Sequence, residues 1–165
     1  MWSGPGTTSG KPLTTGTELA NLIAGARHEL LLTTYSASPH PPLIEALTAA
    51  AARAVRISIV VETHAGAHGA LSGREPAAAF LAVPGAELWH WPAASRPMPN
   101  ARQHAKLAVA DRSVMLIGSA NLTGSGIDDN LEAGILITSG PLPGRAVDHM
   151  VQLQLAGALA RVAYS

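Results

Sequence analysis

Apolar positions along this chain follow a helical rhythm in some stretches and a strand rhythm in others. Leu19, Leu22, Ile23 and Ala26 fall on one helical stripe and Thr17 ahead of them is a capping residue, so a helix is expected over about 17–28. Residues 29–36 are a short apolar run, stopped by Ser38-Pro39-His40-Pro41-Pro42, and read as a buried strand. Pro41 or Pro42 suits the first turn of a helix through Leu43, Leu47, Ala50 and Ala51 to about residue 54. A second strand over 56–62 completes a strand, helix, strand unit whose crossover should be right-handed.

The pattern then loosens into a Gly- and Ala-rich segment over 64–76, with a short helix expected near 77–83. A strand over 87–91 alternates, setting Leu88 and His90 on one face and Trp89 and Trp91 on the other. Both tryptophans read as core or interface, with base stacking the lesser alternative. After a Pro-containing loop over 92–103, three β-prone runs are expected at 107–110, 114–117 and 135–137. A long amphipathic helix over about 143–163 should bury Val147, Met150, Val151, Leu155 and Leu159. Residues 1–16, rich in Gly, Ser, Thr and Pro, are expected to be a flexible tail, leaving 17–165 as one domain.

Composition narrows the class. The chain has 165 residues, 47% hydrophobic and 13% charged, with a single Phe, so its core must be built from small aliphatics. It has no Cys, which excludes a disulfide framework and a thiolate metal site. No run approaches the roughly 20 apolar residues of a membrane span, and the expectation is a soluble, cytoplasmic protein without membrane attachment. Eleven basic and eleven acidic residues give a formal net charge of zero, so a polyanion would have to be held locally. His64, His68 and His90 lack the Cys and carboxylate company of a metal site, and no metal is assigned to them.

The polar residues on the last three strands carry the chemistry. His104 and Lys106 are two apart and share a strand face, as do Ser119 and Asn121, and Asn130 and Glu132. The three pairs converge if their strands are neighbours. Asp111, seven residues beyond His104, has the wrong parity for that face; with Arg112 and Ser113 it reads as closing a hairpin and holding backbone. Arg96 and Arg102 in the preceding loop read as solvated, with contact to a substrate backbone as the alternative, and Arg102 is counted among the substrate-binding candidates for its place beside His104.

His104-x-Lys106-x4-Asp111 followed by Gly118-Ser119-x-Asn121, with Asn130-x-Glu132 beyond, resembles the signature of the phospholipase D superfamily. That resemblance implies an α/β fold, an αβ sandwich with a mixed β-sheet flanked by helices. It implies a phosphodiesterase needing no metal or other cofactor, in which His104 attacks phosphorus to form a phosphohistidine and a second histidine protonates the leaving oxygen. Lys106 and Asn121 would bind the phosphoryl oxygens, Ser119 would orient at the rim, and Glu132 would hold the imidazole. Asp111 belongs to the same motif and is grouped with these catalytic candidates.

Many superfamily members carry two His-x-Lys motifs, but none of the other six histidines here, His28, His40, His64, His68, His90 and His149, is followed at two residues by Lys. The resemblance therefore implies a homodimer sharing one pocket. Over about 17–162 the chain also resembles the phospholipase D-like component of DISARM-type bacterial anti-phage defence systems, which implies nucleic acid as substrate and other defence proteins as partners. A non-catalytic scaffold in such a complex, and a phospholipase or phosphatidyl transferase, stay open as alternatives.

Overall fold

Leu-rich and Val-rich runs separated by helical stripes fold here as alternating strands and helices. The computed structural model describes residues 1–3 and 14–163. Strand β1 (Trp2–Ser3) precedes helix α1 (Thr15–Gly25), β2 (Glu29–Thr34), helix α2 (Pro41–Ala52) and β3 (Arg56–Val61). A single turn of helix, α3 (His64–Ala67), and a 3-10 turn (Pro76–Phe80) lead to β4 (Glu87–His90). A second 3-10 turn (Ala93–Ser95) opens the loop to β5 (Leu107–Ala110), which pairs back through β6 (Val114–Gly118). A π-helical turn (Ser125–Asp129), β7 (Glu132–Ile137), helix α4 (Leu142–Leu155) and β8 (Ala160–Arg161) complete the described chain.

All eight strands join one sheet in the order β1-β7-β6-β5-β2-β3-β4-β8. β2, β3 and β4 run parallel and the other pairings are antiparallel, so the sheet is mixed, as expected. Period-two alternation then sorts the apolar residues between two layers. Leu30, Leu32, Ile57 and Ile59 pack under α1 and α2 with Leu22, Ile23 and Leu47, while Leu31, Val60, Val109 and Met115 face the other way toward Val147 of α4. Leu88 joins the first layer and Trp89 and Trp91 the second, as the alternation predicts.

Several boundaries differ from expectation. Helix α1 starts at Thr15, because Thr14 rather than Thr17 has the extended backbone of a cap and accepts from Thr17 N at 3.1 Å. Of the expected tail, residues 4–13 lie outside the described residues, whereas Trp2 and Ser3 pair with β7 and Ser3 Oγ accepts from Thr15 N at 2.9 Å. The segment expected to be loose contains α3, capped by the Thr63 side chain. Helix α4 ends at Leu155, eight residues early, since Gly157 takes a left-handed φ of 71° and turns the chain toward β8. Leu159 is buried as expected, but outside the helix, while Leu155 is 76% exposed and Val151 38%.

Candidate active site

Strand direction brings the polar pairs together. Because β5, β6 and β7 are successively antiparallel, the approach to β5, the end of β6 and the start of β7 lie at one edge of the sheet. His104 and Lys106 stand on that approach, Ser119 and Asn121 follow β6, and Asn130 and Glu132 open β7. The carboxyl ends of β2 and β3 reach the same edge, since Thr33 of β2 pairs with Leu107. Ligand sites of α/β sheets form outside the carboxyl ends of their parallel strands.

Lys106 leans back onto His104: its Nζ lies 3.2 Å from His104 Nδ1 and donates to the His104 carbonyl at 3.0 Å. Tyr35, just past β2, sets its ring 4.9 Å from the imidazole, and Lys106 Nζ is 6.0 Å from the same tyrosine ring. His104 is exposed at the rim. What burial its ring has, together with the charges of Lys106 and Arg102, still lowers its pKa and favours the neutral imidazole. Burial also lowers the Lys106 pKa, and the nearby Glu132 carboxylate opposes that shift.

Ser119 Oγ donates to Glu132 Oε2 and accepts from Ala133 N at 3.1 Å, and Asn130 Nδ2 donates to Glu132 Oε1 at 3.2 Å. Asn121 Oδ1 accepts from Ser36 N at 3.2 Å, tying the end of β6 to the chain beyond Tyr35. An imidazole whose neutral form is favoured, an ammonium, an amide and a carboxylate thus share one rim. That set can bind a phosphoryl group and attack it. Within the chain, Glu132 is bonded to Ser119 and Asn130 rather than to the imidazole. Among the described residues, no group of three His, Cys, Asp or Glu is disposed to hold a metal ion.

A family model described as "Cardiolipin synthase, PLD-like domain" matches residues 19–153. The chain belongs to the PLD-like domain family. Its fold is similar to a phospholipase D family member, Nuc, from Salmonella typhimurium, with a TM-score of 0.70 and 23% identity over 89% of this chain and 90% of that one. NucT from Helicobacter pylori is similar at a TM-score of 0.70 and 17% identity, over 89% of both chains. Phosphatidylserine synthase from Haemophilus influenzae gives 0.64 and 15% identity, over 88% of this chain and 36% of that one. A comparison with curated protein sequences gives no match.

The remaining motif residue of this PLD-like domain lies away from the rim. Asp111 sits at the far end of β5, where its carboxylate accepts from the backbone N–H of Arg27, His28 and Glu29 at 2.8–3.0 Å. Burial pushes its pKa up, but those three donors and nearby His28 outweigh it and hold the carboxyl below its ordinary range. Asp111 therefore holds the chain entering β2, at the opposite end of β5 from the candidate residues at the rim. Arg102 lies near enough for its charge to act on His104, and one guanidinium nitrogen is committed to the Ala67 carbonyl at 2.9 Å.

Arg96 is a correction. It is buried rather than solvated, because Glu62 at the end of β3 supplies a counter-charge inside the protein. Tyr35, Glu62 and Gln103 also adjoin the site, and the motif spacing does not single them out. An acid ending the run Ile-Val-Val at 59–61 was the available signal for Glu62; nothing in the sequence marks its partner.

Proposed function

We propose that this PLD-like domain is a metal-independent phosphodiesterase working through a phosphohistidine at a site shared by two copies of the chain. The observation that carries the reading is the Lys106 ammonium 3.2 Å from the His104 ring, on the edge where Asn121 and Glu132 also stand. An anionic phosphodiester resists anionic attack, so a neutral imidazole beside a fixed cation suits it.

In the first half-reaction a lone pair of His104 bonds to phosphorus, the bond from phosphorus to the leaving oxygen breaks, and that oxygen takes a proton from the second copy's His104. In the second, that imidazole removes a proton from water, the water oxygen bonds to phosphorus, and the phosphorus–nitrogen pair returns to His104. Lys106 and Asn121 donate to the phosphoryl oxygens, and Ser119 and Arg102 line the rim. Glu132 meets the imidazole of the other copy, which fits a carboxylate left unattached to its own His104. Exposed apolar side chains beside the site support self-association: Ile117 and Ile135 are cross-strand partners, and Trp2 lies opposite Ala133 on the same face.

Nucleic acid is the proposed substrate, and no helix among the described residues is long and apolar enough to cross a membrane. The proposed setting is a DISARM-type anti-phage defence system, supported by the sequence resemblance over 17–162. The test is incubation of purified protein, with EDTA, against plasmid, single-stranded DNA, RNA, phosphatidylcholine vesicles and bis(p-nitrophenyl) phosphate. Cleavage that survives EDTA and falls roughly a thousandfold or more in His104→Ala is expected. An active His104→Ala protein contradicts the reading, and no cleavage of any substrate contradicts it and favours a scaffold role.

A further inference from the structure

The chain just ahead of His104 is gripped by a buried ion pair that the proposed reaction does not use. Glu62 and Arg96 have side chains 0% and 1% exposed. Glu62 Oε1 accepts from Arg96 Nη2 at 2.6 Å and from Thr63 N at 2.8 Å, and its Oε2 accepts from Arg96 Nη1 at 3.0 Å and from Gln103 N at 2.9 Å. Arg96 donates further to the carbonyls of Trp91, Gly66 and Ala101, so the guanidinium also fastens the loop to α3.

Gln103, itself buried, donates from Nε2 to the carbonyls of Thr34 and Val60 at 3.2 Å and accepts from Ala105 N at 2.7 Å. The backbone is therefore held at residue 103 and again at residue 105, on either side of His104. Gly66 completes the cradle, because a Cβ there would lie 2.2 Å from Arg96 Nη2 and 2.3 Å from Glu62 Oε1.

Stability alone is a weak reason for such a pair. Two charges taken out of water lose hydration that their attraction barely repays, and apolar replacements of similar volume are often neutral or stabilising. What the pair supplies is a fixed geometry. Residues 101–106 lie outside any strand; besides this network they are fastened by Ala101 N on the Met98 carbonyl, Arg102 Nη2 on the Ala67 carbonyl, Thr33 Oγ1 on the Ala105 carbonyl, Lys106 Nζ on the His104 carbonyl and Gly118 N on the Lys106 carbonyl.

We propose that Glu62 and Gln103 are positioning residues: the buried Glu62–Arg96 pair holds Gln103, and Gln103 fixes the backbone around His104 so that the imidazole stands between Tyr35 and Lys106. The catalytic consequence rests on reading His104 as the nucleophile; the positioning itself does not. A displacement of about 1 Å at a reacting group can cost roughly a hundredfold in rate.

Two variants test this. Gln103→Met keeps volume but removes the clamp on Ala105, and Glu62→Met combined with Arg96→Leu removes the pair without stranding a charge. Each is measured for kcat and KM on bis(p-nitrophenyl) phosphate, for thermal unfolding, and for the NMR titration of the His104 ring. In folded variants kcat should fall roughly tenfold to a hundredfold with KM changed less than about twofold, and the His104 midpoint should rise as the ring leaves Lys106 and Arg102. Folded variants with unchanged kcat and unchanged His104 titration overturn the proposal. If the unaltered protein cleaves nothing, the nucleophile reading fails and the His104 titration alone decides the positioning. If the variants do not fold, amide exchange of the unaltered protein decides: protection of Gln103 and Ala105 N–H equal to that of β5 supports the clamp, and loop-like exchange overturns it.

Discussion

His104 owes its protonation state to its neighbours. An ordinary histidine titrates near pH 6.5; partial burial and the charges of Lys106 and Arg102 bring this one lower, so the folded ring is neutral at pH 7. Activity should then have its acid limb below the ordinary histidine midpoint, because protonation removes the nucleophile. The basic limb should report the copy that must hold a proton, giving a bell whose two values belong to the pair. A pH–rate profile flat between about pH 5 and 8 contradicts paired histidines.

Asp111 behaves differently although it belongs to the same motif. Its depressed carboxyl contributes stability that is present above the unfolded value of about 3.9 and is lost as pH falls through the lower folded value. Asp111→Ala should cost about 1–2 kcal/mol in chemical denaturation, by orphaning three backbone donors, and should leave kcat of the folded protein within about threefold. A collapse of kcat at unchanged stability would contradict the structural role. Asp111 and His104 flank β5 without belonging to it, and the strand between them sets the two at its opposite ends. Arg96 was illegible, because its burial depends on Glu62, 34 positions away in sequence and met only in the folded chain.

At the scale of elements, the apolar runs of β2, β3 and β4 and the stripe of α1 were readable because each pattern closes within a few residues. Their ends were less so. Two threonines three apart, Thr14 and Thr17, both suit a cap, and only the backbone around Thr14 chooses between them. Leu155 and Leu159 continue the spacing of α4 past its true end, whereas Gly157 follows the end of the helix and hands Leu159 to a different packing. The one turn of α3 serves the loop ahead of β5, through the Gly66 carbonyl accepting from Arg96 at 2.9 Å. Gly66→Ala should therefore destabilise the protein by about 2–4 kcal/mol, read as a lower unfolding midpoint, since neither buried charge can move aside. An unchanged midpoint would mean that the cradle is looser than its distances imply.

At the scale of the molecule, a single mixed sheet carries every proposed catalytic group on one edge, and that edge holds one His-x-Lys. A neutral net charge leaves the proposed phosphate recognition to Lys106, Arg102 and Asn121 and the counterparts of a proposed second copy. The sequence could count the histidines but could not say what faces them. Ile117, Ile135 and Trp2 became a surface only once β1, β7 and β6 were side by side. Shared use of His104 is tested most directly by random mixing of unaltered and His104→Ala subunits, with turnover followed against the fraction unaltered. A two-histidine pocket predicts activity falling as the square of that fraction, to about one quarter at equal mixing. A linear fall, to about one half, would mean that each chain works alone and would contradict the shared site.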